Sequence, residues 1–172
     1  MKRIKLIALI VAIVTVCLMI PSCAEVVTFE KVRFAAIYQT PKIEEIEGED
    51  GKIEKKTSFV DNVLIDVIET DINGADGMTV LDGVVQILET NNIKHKVNEG
   101  SITSIKGQRE RSSQGYLYVW EYTVTNAKGE LLSENNRAHE IPLADGMKIV
   151  YILTGAVDKS IETEAPETEA AE

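Results

Sequence analysis

Residues 71–82 read Asp-Ile-Asn-Gly-Ala-Asp-Gly-Met-Thr-Val-Leu-Asp, a stretch rich in side-chain oxygens. An EF-hand-type calcium loop takes ligands at positions 1, 3, 5 and 12 of its 12 residues and needs glycine at position 6. Counted from Asp71, the loop has Asn73 at the third position and Asp82 at the last, but Ala75 and Asp76 occupy the fifth and sixth. The same residues read more economically as the start of a helix. Thr79-Val80-Leu81-Asp82 is a capping box, in which the Thr79 hydroxyl accepts from a first-turn amide and the Asp82 carboxylate reaches back to the Thr79 amide. Calcium is therefore not expected, and Asp71, Asn73, Asp76 and Asp82 stand as the alternative metal reading.

Other reactive groups are sparse. Ser112 and Ser113 lie outside any G-x-S-x-G nucleophile elbow. His95 and His139 are the only histidines, and His139 with Glu140 offers two ligands, too few for zinc. Glu44, Glu45, Glu47, Glu49 and Asp50 read as a solvated acidic run with weak affinity for divalent cations. No catalytic constellation is visible, so an enzyme is not expected. The remaining candidate surface is aromatic: Tyr116, Tyr118 and Trp120 share one face of a strand and form the candidate ligand-binding set. Gln108, Arg109, Glu110 and Arg111 follow a short strand and could add polar contacts.

The ends of the chain bear on location. MKRIK is basic, and residues 6–20 are apolar apart from Thr15. A helix of that length reaches only about 22 Å, short of a bilayer core of about 30 Å. This is the pattern of a secretory signal. It ends Ile20-Pro21-Ser22-Cys23, which resembles a bacterial lipobox and implies cleavage before Cys23 and lipid attachment to its thiol. An ordinary signal peptide cut nearby, or an uncleaved anchor, is the alternative. Without residues 1–22 the chain carries 15 basic and 28 acidic side chains, a net of −13. Such a body is poorly suited to nucleic acid, so membrane residence would rest on the lipid. Residues 157–172 read as a disordered acidic tail.

The middle must position whatever site exists. Val32, Phe34, Ala36 and Tyr38 alternate along a half-buried strand, followed by a polar excursion over 41–56 that could instead be a hairpin. Residues 60–69 carry Val63, Ile65 and Val67 opposite Leu64 and Ile68, which suggests a central strand buried on both sides. Leu81, Val84, Val85 and Leu88 mark one helix over 79–92, with Gly83 at a close approach to a sheet. Ile93, His95 and Val97 restore a period of two, and SITSIKG is a short strand. Residues 116–125 form the clearest strand, and MKIVYIL closes the chain. The expected class is α+β, a sheet with one helix laid across it.

Three pieces taken in order, TVLDGVVQIL, then Tyr118-Val119-Trp120-Glu121-Tyr122 leading to Asn126, then Ala144-Asp145-Gly146-Met147, resemble the transcobalamin C-terminal-like β-grasp family. The match covers about residues 60–154, leaving residues 23–59 as tether, extra N-terminal strand and excursion. The closing turn lacks the second acid of the family's pattern. The resemblance implies a ubiquitin-like mixed sheet gripping one helix, and an aromatic surface able to meet a corrinoid such as cobalamin. The expectation is a membrane-tethered, extracytoplasmic binding module for a small molecule or a surface protein. A divalent-metal-binding lipoprotein and a structural or adhesion component of a surface assembly are the alternatives.

Overall fold

The computed structural model describes residues 26–47, 51–113, 115–134 and 136–158. The expected signal segment with Cys23, residues 48–50 with Glu49 and Asp50 of the acidic run, and residues 159–172 of the expected tail lie outside them, whereas Val157 closes a strand and the Asp158 amide donates to the Gly115 carbonyl at 2.8 Å. The elements are β1 (Val26–Glu47), β2 (Ile53–Ala75), α1 (Val80–Thr90), β3 (His95–Asn98), β4 (Ser101–Ile105), β5 (Gln108–Arg109), β6 (Arg111–Ser113), β7 (Tyr116–Thr125) and β8 (Lys148–Val157). Five strands make one sheet in the order β2-β1-β8-β7-β6, and β3-β4-β5 make a second. The β1–β8 pair is parallel and its neighbours are antiparallel, so the larger sheet is mixed. With a single helix, the chain is α+β.

The N-terminal strand is the sheet's interior. Val32, Phe34 and Ala36 are fully buried, and Arg33–Tyr38 pair with Lys148–Leu153. The division near residue 60 falls inside β2, so β1 and the rest of the chain share one sheet. Residues 60–69, by contrast, are not a central strand buried on both sides. They belong to β2, at the sheet's edge, where Val63 is 70% and Val67 57% exposed while Ile65 is buried. Register shifts between Phe34 and Ala36 and between Ala36 and Ile37 account for the difference. Each bulge changes which face a residue takes, so a bulged edge carries apolar residues on both parities, as a two-sided strand does.

The polar stretch after Tyr38 is a hairpin arm. Glu44 lies opposite Lys56 and Glu45 opposite Lys55, so cross-strand charge pairing extends both strands towards the turn. A further bulge at Glu30–Lys31 puts Lys31 at φ 54°. Two carboxylates hold it: Asp145 Oδ1 accepts from the Glu30 amide at 2.8 Å and Asp71 Oδ1 from the Lys31 amide at 2.9 Å.

Helix α1 begins at the expected capping box. The Asp82 amide donates to Thr79 Oγ1 at 3.3 Å, and Asp82 Oδ2 accepts from the Thr79 amide at 3.0 Å. The remaining first-turn amides are met by a distant segment, Val80 N donating to the Ile141 carbonyl and Leu81 N to that of Ala138. Helix N-termini leave such donors unpaired within the helix, so residues 138–141 complete the cap. At the other end Asn92 adopts φ 53°, and Ile93 N and Asn92 N donate to the Leu88 and Glu89 carbonyls, a Schellman closure. The buried stripe is Val80, Leu81, Gly83, Val84, Ile87 and Leu88. A Cβ on Gly83 would stand 2.9 Å from Leu143 Cδ2 and 3.4 Å from Ile72 Cδ1, so glycine is required for the helix to sit this close.

Candidate functional site

The aromatic strand β7 places alternate side chains inward, as its sequence requires: Tyr118, Trp120 and Val124 are buried, with Tyr116 and Tyr122 half-buried. Leu117 and Val119 point outward. The three candidate ligand-binding residues therefore have three different surroundings. Tyr116 packs edge-on against Phe59 of β2, with ring centroids 5.7 Å apart. Tyr118 is covered by the Arg111 guanidinium, 4.4 Å from its ring centre. Trp120 turns into the core beside Tyr151. They form no flat exposed aromatic face, because the alternation that aligns them also drives them under the sheet.

What the strand does form is a small cleft. Trp120, Tyr122 and Tyr151 line it together with Ser101, Ile102, Glu110 and Ala138, and its volume is about 110 Å³. Tyr151 is the hub, with Tyr122 at 5.4 Å, Phe34 at 6.2 Å and Trp120 at 6.5 Å between ring centroids. Burial pushes the Tyr151 hydroxyl well above its ordinary pKa, with the neighbouring Tyr122 adding to the shift. Tyr122 is also raised, mainly by burial, with the Ala138 backbone opposing the shift; its hydroxyl donates to the Asn136 carbonyl at 2.8 Å. Both phenols are therefore neutral at physiological pH. Glu110 enters from the segment joining β5 and β6, where its Oε1 accepts from the Trp120 backbone amide at 3.2 Å.

One group at this cleft has no partner among the described residues. Trp120 is buried, and its indole Nε1 lies out of solvent with no hydrogen-bond acceptor among the described residues. A buried unpaired N–H costs roughly 1–3 kcal/mol, and this one belongs to a ring that walls the cleft. The volume admits roughly a few waters or one small polar group. The polar part of this site was only partly visible in the sequence: Glu110 stands out as a loop acid, whereas Tyr151 reads as an ordinary core position in MKIVYIL.

The oxygens of the 71–82 stretch do not converge. Asp71 holds the β1 bulge, Asn73 Oδ1 accepts from Thr28 Oγ1 at 2.8 Å, and Asp82 caps the helix. Asp76 is exposed beyond the end of β2. No group of three potential metal ligands occurs among the described residues. The two histidines are engaged separately, His95 Nδ1 with the Ile93 carbonyl at 3.0 Å and His139 Nδ1 with that of Gly100 at 3.2 Å. Glu44 pairs with Lys42 at 2.8 Å, which draws the carboxyl below its usual range.

No family model matches the chain, and no curated protein does. Among solved structures, a provisionally named metal binding protein from Ruminococcus gnavus ATCC 29149 is similar at 15% identity, over 74% of this chain and 98% of that one, with a TM-score of 0.33. At that score the likeness assigns neither fold nor ligand.

Proposed function

We propose that the chain is a non-enzymatic binding module, lipid-anchored through Cys23 on the extracytoplasmic face of a bacterial membrane, that takes a small polar group into the Trp120–Tyr151 cleft. The observation that carries the reading is the buried, unpartnered Trp120 Nε1 at a cleft walled by aromatic rings and Glu110. Aromatic walls with a few fixed polar groups are the usual make-up of a small-molecule site. The β-grasp assignment draws support from a mixed sheet whose first and last strands lie side by side in parallel, with the helix following the second strand. Kinship with the transcobalamin C-terminal-like family rests on the sequence pieces alone. A corrinoid ring is far larger than 110 Å³, so under this reading only a substituent of it, such as a side-chain amide, would enter.

Trp120 is the single tryptophan in the chain, so its fluorescence reports on the cleft directly. Titrating the full chain in a non-ionic detergent with cobalamin and with small amides and carboxylates should give a saturable change for at least one. Trp120→Phe should abolish the matching thermal stabilisation. Absence of any saturable response would refute the cleft as a binding site, and Cys23→Ser protein that stays with the membrane would refute the lipid anchor.

A second reading, a component of a surface assembly, is favoured by the hairpin arm. A lone two-stranded hairpin is marginal in water, and this one exposes Ile43 and Ile53. Recovery of a stoichiometric protein partner, lost on Ile43→Lys and Ile53→Lys, would favour it.

A further inference from the structure

Three cations stand together on the outer face of the small sheet, in a chain whose net charge is −10. Lys96 is in register with Ser104, and Ser104 with Arg109, so the three side chains form a row across β3, β4 and β5. Neighbouring strands lie about 4.8 Å apart, which puts the two cationic ends of the row within one small ligand's span. Lys94, two residues before Lys96, lies beside that row, its carbonyl accepting from the Lys106 amide at 2.8 Å. These residues, with His95 and Gly107, line a hollow of about 210 Å³ that has no acidic residue in its wall.

The neighbouring cations have structural work. Lys106 Nζ donates to the Leu64 carbonyl at 3.1 Å, across to β2, and Arg111 covers Tyr118. Among the described residues, Lys94, Lys96 and Arg109 make no ion pair, and their side-chain nitrogens meet no hydrogen-bond acceptor. The hairpin that brings them together turns through Lys106 and Gly107, both at positive φ (49° and 83°), the pattern of a tight type I′ connection. The array is thus held by backbone pairing and by Lys106, and does not depend on the three free cations themselves.

The geometry points to a binding site for a phosphoryl-class oxyanion, held by the Arg109 guanidinium, the Lys94 and Lys96 ammonium groups and the Ser104 hydroxyl. Arginine offers a two-pronged donor and lysine a point charge, a mixture suited to a group with three or more charged oxygens. The group could be carried by a soluble phosphoester or by an anionic lipid headgroup. This site is separate from the aromatic cleft and uses none of its residues.

The test is calorimetric titration of the full chain in a non-ionic detergent at constant ionic strength. One arm adds inorganic pyrophosphate, and the other adds short-chain phosphatidylglycerol to the micelles. The expected result is saturable binding in at least one arm, weakened about tenfold or more by Lys96→Glu with Arg109→Glu. The arm that responds identifies the carrier. Lys55→Glu with Lys56→Glu, on the hairpin arm, should leave binding intact, and the Trp120 fluorescence response should survive both pairs of changes. No saturable binding in either arm, or equal loss in the Lys55/Lys56 control, would overturn the assignment.

Discussion

Tyr122 and Tyr151 lie directly opposite one another on β7 and β8, with ring centroids 5.4 Å apart and planes tilted by 31°. Their contact joins the aromatic strand to the strand that runs beside β1, so the cleft and the core share one wall. Tyr151→Ala should therefore destabilise the protein by about 3–5 kcal/mol, measured by urea unfolding, because a fully buried ring is deleted.

The same pair sets a response to alkali. Both folded-state pKa values lie above the ordinary 10.0. Their contribution to stability is therefore fully present below about pH 10 and is lost as pH rises through the folded values, since only the unfolded chain ionises freely there. The melting temperature should be flat with respect to these groups up to about pH 9 and fall beyond about pH 10. Tyr151→Phe should flatten that fall, and an identical alkaline limb in the variant would count against it.

Gly83→Ala should destabilise by about 1–2 kcal/mol, although alanine favours a helix by about 1 kcal/mol. The added methyl would meet Leu143 Cδ2 at 2.9 Å in a closed part of the core. Combining it with Leu143→Val should recover part of the loss, which denaturant midpoints would reveal.

Thr79→Ala and Asp82→Ala should each cost about 1 kcal/mol, and the double variant should cost less than the sum, because both residues serve one box. Calcium should leave the melting temperature of the parent unchanged, since Asp71, Asn73 and Asp82 are committed to Lys31, Thr28 and Thr79. A calcium-dependent rise abolished by Asp71→Ala would restore the metal reading.

On β2, Val63→Thr and Val67→Thr should stay within about 0.5 kcal/mol of the parent, while Ile65→Ala should cost about 2–4 kcal/mol. Equal costs at all three positions would contradict the edge placement.

These contrasts mark where the sequence was readable. The Thr79–Asp82 box, the helix stripe and the alternation of β7 depend on neighbours within a few residues, so local pattern discloses them. The position of β2 does not. Val63, Leu64 and Ile65 look the same whether a strand is enclosed on both faces or bent by bulges at an edge, and β1's parallel pairing with β8 is a long-range event. Tyr118 and Trp120 were recognisable as one stripe, but alternation alone does not say whether a stripe meets ligand or core. The Lys96–Ser104–Arg109 row is still less accessible, because it exists only once two turns bring three strands together.

The long pairing of β1 with β2 has a geometric consequence if Cys23 carries the proposed lipid. Val26 opens β1, so under the proposed anchor only residues 23–25 would separate the lipid from the first strand, no more than about 10 Å. The Val26–Ala75 end of the sheet would then stand almost on the headgroups. From there β1 runs 22 residues, up to about 70 Å of contour, towards the Glu47–Ile53 tip. Under that proposal the molecule would stand like a mast, its foot pinned and its hairpin carried outward.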